Sequence, residues 1–175
     1  MALTPDDIKT AISLLAFAAS LLSLYFTRIN WLQSNRPVIS AFVVEHSSGN
    51  TAAVFNLTIA NTGSRPAVHV QLHASRDEIS SLLDVNAEPE KFDSISRVFT
   101  SESKIPLLRN GEELSTSFGA TNSNPSDDPW LRYGTEIEIS VSYQDLDGRK
   151  YISRQPLKIY ARDGFGGGVW TDPKV

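Results

Sequence analysis

Two periods divide this chain. From Ala11 to Thr27 it reads Ala-Ile-Ser-Leu-Leu-Ala-Phe-Ala-Ala-Ser-Leu-Leu-Ser-Leu-Tyr-Phe-Thr without a charge, and past Arg36-Pro37 apolar residues alternate with polar ones. The first stretch sits near the lower limit of the roughly 17–25 residues that cross a bilayer as a helix. Its start is signalled: Thr4 suits an N-cap, Pro5 the first turn, and Asp6 and Asp7 the positive end of the helix dipole. The expectation is a single transmembrane anchor helix over residues 4–34, broken by Arg36-Pro37.

The second period predicts strands. Val38–Glu45 is rich in β-branched and aromatic residues and is followed by Ser47-Ser48-Gly49-Asn50, a turn sequence. Thr51–Ala60 places Phe55, Leu57 and Ile59 on one face and Val54, Asn56 and Thr58 on the other. After the turn Asn61–Pro66, Ala67–Ala74 sends Val68, Val70 and Leu72 to a core and His69, Gln71 and His73 outward. Glu78–Val85 has an amphipathic, helical pattern, which Glu88-Pro89-Glu90-Lys91 interrupts, and Phe92–Thr100 reads as a further strand. Ile105–Leu108 and Leu114–Phe118 flank an Asn-Gly turn in the manner of a hairpin. Gly119–Gly134 is the longest expected loop, with Trp130, Leu131 and Tyr133 as core contacts near its end. Thr135–Gln144 alternates most cleanly, and Asp145-Leu146-Asp147-Gly148 turns it into Lys150–Ala161. Short alternating strands with regular turns predict a mainly β, antiparallel sandwich over residues 35–163, followed by a Gly-rich flexible tail, 164–175.

Within the helix, Ser13, Ala16, Ser20, Ser23 and Thr27 succeed one another at spacings of three and four, so they share one face. In lipid, helices associate through small residues that permit close approach and hydroxyls that bond across. The stripe therefore reads as a self-association seam with left-handed crossing, making a homo-oligomer. The competing explanation is that these hydroxyls bond back to their own helix's carbonyls. Only Lys9 and the amino terminus precede the span, whereas Arg28 and Arg36 follow it, so the positive-inside tendency places the C-terminal domain in the cytoplasm by a margin of one or two charges. Tyr25 and Trp31 fit an interfacial belt. A cleaved secretory signal is the rival interpretation, but Thr-Pro-Asp-Asp is not the basic start it needs. Burial of the helix in a large protein assembly is a third.

Composition narrows the chemistry. A net charge of −4 in 175 residues gives no basic surplus for nonspecific nucleic-acid binding. The chain contains no cysteine, which removes disulfides, thiolate metal sites and cysteine nucleophiles.

The phrase Leu57-Thr58-Ile59-Ala60-Asn61-Thr62-Gly63-Ser64-Arg65-Pro66-Ala67-Val68-His69-Val70, with the later Val141-Ser142-Tyr143-Gln144-Asp145-Leu146-Asp147-Gly148-Arg149-Lys150-Tyr151, resembles bacterial immunoglobulin-like domains of the CARDB type, found in single-pass membrane-anchored proteins. The match covers about a third of the domain and consists of turn chemistry. It implies an Ig-like β-sandwich, a bacterial or phage origin, and a role as an adhesion, spacer or protein-contact module, although fold does not fix function.

Catalytic and ligand motifs are sparse. His69 and His73 would stand roughly 13 Å apart on a strand at ~3.3 Å per residue, too far to share a metal. Asp145-x-Asp147-Gly148 starts like a calcium loop, but Pro156 occupies the position of the closing glutamate. Asp127 and Asp128 sit in the long polar loop, where a cation or a partner is one reading and simple solvation the other. Asn56-Leu57-Thr58 fits a glycosylation acceptor but lies mid-strand. The glycines at 164–168 open no helix, so they form no phosphate-binding loop. The tail presents Trp170, either as a docking anchor for a protein partner or folded back on the domain. No metal or cofactor is implied. The expected function is a non-enzymatic, membrane-anchored interaction or scaffold module that self-associates through its helix. A structural subunit of a phage or other membrane-associated assembly, and an envelope-facing ligand-binding domain, are the alternatives.

Overall fold

A computed structural model describes residues 4–49, 52–122 and 130–160. Cα packing divides the chain between Arg36 and Pro37 into two units.

The first unit is the helix α1, Pro5–Ser34. Its N-terminus is closed by a capping box: the Asp7 N–H donates to Thr4 Oγ1 at 3.3 Å, and the Thr4 N–H donates to Asp7 Oδ2 at 2.9 Å. At the other end the backbone N–H and side-chain amide of Asn35 both donate to the Trp31 carbonyl, each at 2.9 Å. Thirty residues at ~1.5 Å rise make a rod of about 45 Å. Its mean hydropathy reaches 1.7 over the most apolar window, no residue of which is buried. It is long and apolar enough to cross a membrane.

The second unit is mainly β. Strands β1 (Ile39–Ser48), β2 (Ala52–Asn61) and β5 (Glu113–Asn122) form one antiparallel sheet in the order β1-β2-β5. Strands β3 (Ala67–His73), β4 (Ile105–Leu108), β6 (Glu136–Gln144) and β7 (Lys150–Lys158) form the other, in the order β4-β3-β6-β7. Between β3 and β4 the chain makes α2 (Arg76–Leu82), α3 (Pro89–Ser96) and two 3₁₀ turns, Arg97–Phe99 and Ser101–Ser103. Phe55, Leu57 and Ile59 of one sheet and Val70, Leu72, Ile139, Val141 and Leu157 of the other join one buried cluster, which Ile79, Leu82 and Ile95 of the helices extend. Links between the sheets run from the Ala41 N–H to Gln155 Oε1 at 3.2 Å, and from the Tyr143 hydroxyl to the Pro37 carbonyl at 3.3 Å.

Several expectations need correction. Phe92–Thr100 is not a strand: Pro89 takes the first helical turn, where its missing N–H costs nothing, and α3 buries Ile95 three residues after the half-buried Phe92. Val68 does not point into the core. His69 adopts a left-handed φ of 57°, and the β3–β6 register slips by one residue between Val68 and Gln71. This bulge shifts the phase of the strand, so Ala67 is buried in place of Val68. The Asn-Gly turn joins no hairpin. β4 pairs with β3 and β5 with β2, so the turn carries the chain from one sheet to the other. Gly119–Asn122 is not loop, because β5 passes through a second bulge at Phe118 and Gly119 and keeps pairing with β2. Ser47 and Ser48 also belong to β1 rather than to the turn after it. Tyr133 is exposed, stacked edge-to-face on Tyr160 at 6.0 Å, whereas Leu131 is buried as expected.

Candidate functional site

The helix carries the first candidate surface. Ser13, Ala16, Ser20, Ser23 and Thr27 are all exposed along α1. Ser20 Oγ donates to the Ala16 carbonyl at 3.0 Å and Thr27 Oγ1 to the Ser23 carbonyl at 2.8 Å. These hydroxyls are spent on their own backbone, which lowers the polarity of the face without lengthening any side chain. What the stripe offers is a shallow, narrow face flanked by Leu14, Phe17, Leu21, Leu24 and Phe26, each more than half exposed. The apolar surface around the helix is too continuous for water and calls for lipid or protein cover.

The second is a hub of turns around Asn61, which is 1% exposed. Its Nδ2 donates to the carbonyls of Arg65 at 2.8 Å and Leu108 at 3.2 Å, and its Oδ1 accepts from the N–H groups of Gly63 at 3.0 Å and Val38 at 3.3 Å. Its backbone meets the β4–β5 turn through Gly111 N–H to Asn61 carbonyl at 2.8 Å. One amide thus gathers the start of β1, the 61–66 turn and the 109–112 turn. Arg65 adds the β6–β7 turn by an ion pair with Asp147 at 2.6 Å, which raises the guanidinium's pKa further above its usual value.

That last turn is closed by Asp145, 2% exposed. Its Oδ1 accepts from the N–H groups of Asp147 and Arg149, both at 2.9 Å, and its Oδ2 accepts from the Tyr151 hydroxyl at 3.0 Å. Burial alone would raise the carboxyl's pKa, but the bonds from Arg149, Tyr151 and Asp147 outweigh it and hold the value below normal. For Tyr151, burial and then the bond to Asp145 push the phenol's pKa up, so it remains a donor. The Asp-x-Asp-Gly sequence is therefore a hairpin staple, and Asp145 faces backbone donors.

The third is a cleft of about 210 Å³ between the sheets where the β4 and β5 edges face each other. Leu57, Ile59, Val70 and Leu72 form its floor, and Val98, Ile105, Leu114 and Thr116 its rim. The sequence reading missed it, because it treated residues 92–100 as a strand and β4–β5 as a hairpin, which would close this edge. The apolar positions Val98, Ile105 and Leu114 were visible but had no shared location.

His73 lines a surface hollow with Glu78, Glu138 and Arg154, while His69 is exposed. His73 Nε2 is 2.7 Å from Ser142 Oγ, and among the described residues no three His, Asp or Glu side chains are placed to hold a metal ion. Asp127, Asp128 and Trp170 lie outside the described residues.

The described residues form a long apolar helix followed in the chain by a two-sheet antiparallel β-domain. The chain belongs to the family described as a domain of unknown function, DUF8453, which matches residues 7–161 and so spans both the helix and the β-domain. No curated protein matches it.

Proposed function

We propose that this protein is a non-enzymatic, single-pass membrane-anchored interaction module that self-associates through its helix and carries an immunoglobulin-like β-sandwich as its recognition head. The observation that carries this reading is α1 itself: thirty residues with a charge-free, largely apolar run from Ala11 to Thr27, unburied, and marked by small side chains at three-four spacing. The family match treats helix and β-domain as one unit, which fits an anchor that is part of the function. Two sheets sharing a core favour the sandwich, and the turns at Asn61–Pro66 and Asp145–Gly148 are the residues on which the Ig-like resemblance rests. The titratable groups of the β-domain that carry shifted pKa values are held in turns, caps and surface ion pairs, which supports a binding role over catalysis.

Because Ser20 and Thr27 bond to their own backbone, the seam works by close approach of small side chains. Ser20→Leu combined with Ser23→Leu is expected to lower the crosslinked oligomer yield in membranes about tenfold, while Ser20→Ala with Ser23→Ala leaves it within about twofold. An unchanged yield in the leucine variant refutes the seam. The positive-inside balance puts the β-domain in the cytoplasm, which a one-sided reporter fused after Val175 reads out.

A further inference from the structure

We propose that the cleft between the β4 and β5 edges seats this chain's own C-terminal segment, with residues 169–171 added as a strand to β5 and the Trp170 indole lodged against the cleft floor. The cleft has the parts that such an insertion needs. β5 is the last strand of its sheet and residues 113–117 are all exposed, so its outer N–H and C=O groups face no paired strand among the described residues. β4, the last strand of the other sheet, is four residues long and lines the opposite side. The floor is aliphatic, and Leu114 on the rim is 41% exposed. No residue that lines the cleft carries a charge, and its polar groups are the hydroxyls of Ser103, Ser115 and Thr116.

The occupant follows from the chain that leaves the β-domain. Residues 161–175 lie outside the described residues and read Ala-Arg-Asp-Gly-Phe-Gly-Gly-Gly-Val-Trp-Thr-Asp-Pro-Lys-Val. Residues 164–171 carry no charge, which matches the charge-free cleft. Within them Val169-Trp170-Thr171 sets an aromatic between two β-branched residues, the composition of a strand, and Gly168 before it and Pro173 after it bound it. Alternation sends Trp170 to one side of the added strand and Val169 and Thr171 to the other. In strand addition, backbone bonds to the sheet edge give affinity and a pocket for alternate side chains gives selectivity. An indole fills such a pocket with a large apolar surface and brings an N–H for which a rim hydroxyl is the acceptor. The length also suffices. Lys158 is opposite Glu136 and Leu72 is opposite Val141, so the floor stands two strand spacings of ~4.8 Å across and five residues of ~3.4 Å along from Lys158, about 20 Å away. Twelve extended residues from Lys158 to Trp170 span about 40 Å, enough to round the end of the domain. Tethering presents the segment at an effective concentration in the ~mM range, which favours it over a free peptide. A second hollow, lined by His73, Glu78, Glu138 and Arg154, is charged and offers an indole no comparable floor.

The absence of cysteine makes a direct test possible on the full chain in detergent. Thr171→Cys is combined either with Ser103→Cys on the cleft rim or with Ile152→Cys, a position on β7 that is 75% exposed and nearer to the segment in sequence. Disulfide formation under a mild oxidant is followed in time, and mixing light with isotopically heavy chains separates bonds within one chain from bonds between two. The expected result is an intrachain bond to position 103 at least about tenfold faster than to position 152. Trp170→Ser, which removes the anchor without touching the β-domain core, should bring the two rates within about twofold of each other. Leu114→Glu, which places a charge on the apolar rim, should do the same. Equal rates to 103 and 152 in the starting pair of proteins overturn the proposal. So does a preference for 103 that survives Trp170→Ser. A preference carried mainly by mixed heavy–light bonds also overturns it, because the cleft would then hold the segment of a second copy.

Discussion

Asp145 and Gly119 are two positions where a single atom or angle governs the fold. Asp145 is buried as an anion because two backbone N–H groups and a phenol meet its oxygens. Truncation in Asp145→Ala leaves three donors unpaired and is expected to cost about 2–3 kcal/mol, read from urea midpoints. Asp145→Asn keeps an acceptor toward the backbone and costs less. Its effect carries a pH signature. The folded carboxyl has a lowered pKa against an ordinary value near 3.9 in the unfolded chain, so the anion's contribution is complete above about pH 5 and disappears as pH falls through the folded value. The stability gap between the wild type and Asp145→Asn should therefore narrow on acidification from pH 6 toward about pH 3, and a constant gap would assign the loss to packing alone. Gly119 sits in the bulge of β5 with φ +152°, and a Cβ there would stand 2.9 Å from Leu131 Cδ1 and Cγ and 3.1 Å from Trp130 Nε1. Gly119→Ala is expected to cost about 1–3 kcal/mol, whereas alanine at the neighbouring exposed Ser117 should fall within about 0.5 kcal/mol.

At the scale of elements, legibility followed periodicity and failed where a single residue breaks it. The helix was readable to its ends because Thr4, Asp7 and Pro37 carry start and stop chemistry that needs no tertiary partner. β6 was readable because its alternation runs unbroken from Ile137 to Tyr143. β3 and β5 were misphased because each contains a bulge, and a bulge is decided by the partner strand: nothing local marks His69 for positive φ, and Gly119 reads as a loop start until β2 pairs beyond it. The small residues of α1 were legible as a stripe, but the back-bonding of Ser20 and Thr27 is a rotamer choice that spacing leaves open. The α3 misreading has its own test. As a strand, residues 92–100 would send Phe92 and Ile95 to opposite faces, whereas the helix packs both, three residues apart, against the core, with Ile95 at 1% exposure, and leaves Ser94 in solvent. Ile95→Ala should cost about 2–5 kcal/mol and Ser94→Ala almost nothing, measured as shifts in urea midpoint at constant slope.

For the whole molecule, two units held by different physics predict two separable transitions. The β-domain buries a single apolar cluster drawn from both sheets, α2 and α3, so no sheet can open without exposing the other's core, and its unfolding is expected to be all-or-none. The helix has no buried residue and satisfies its backbone internally, so in detergent or lipid its stability depends on the solvent around it. With Trp31→Phe and Trp170→Phe, Trp130 remains as the sole tryptophan, packed against the shared cluster. In the detergent-solubilised full chain, urea should shift Trp130 fluorescence and the β component of circular dichroism along one coincident curve, while helical ellipticity from α1 persists beyond it. Leu57→Ala, in the sheet opposite β6 and at 1% exposure, should move that whole curve by about 2–5 kcal/mol and leave the residual helical signal unchanged. Non-coincident fluorescence and dichroism curves would mean that the sheets unfold separately despite their common core. Loss of the helical signal together with the β transition would mean that α1 draws its stability from the β-domain and is no independent unit.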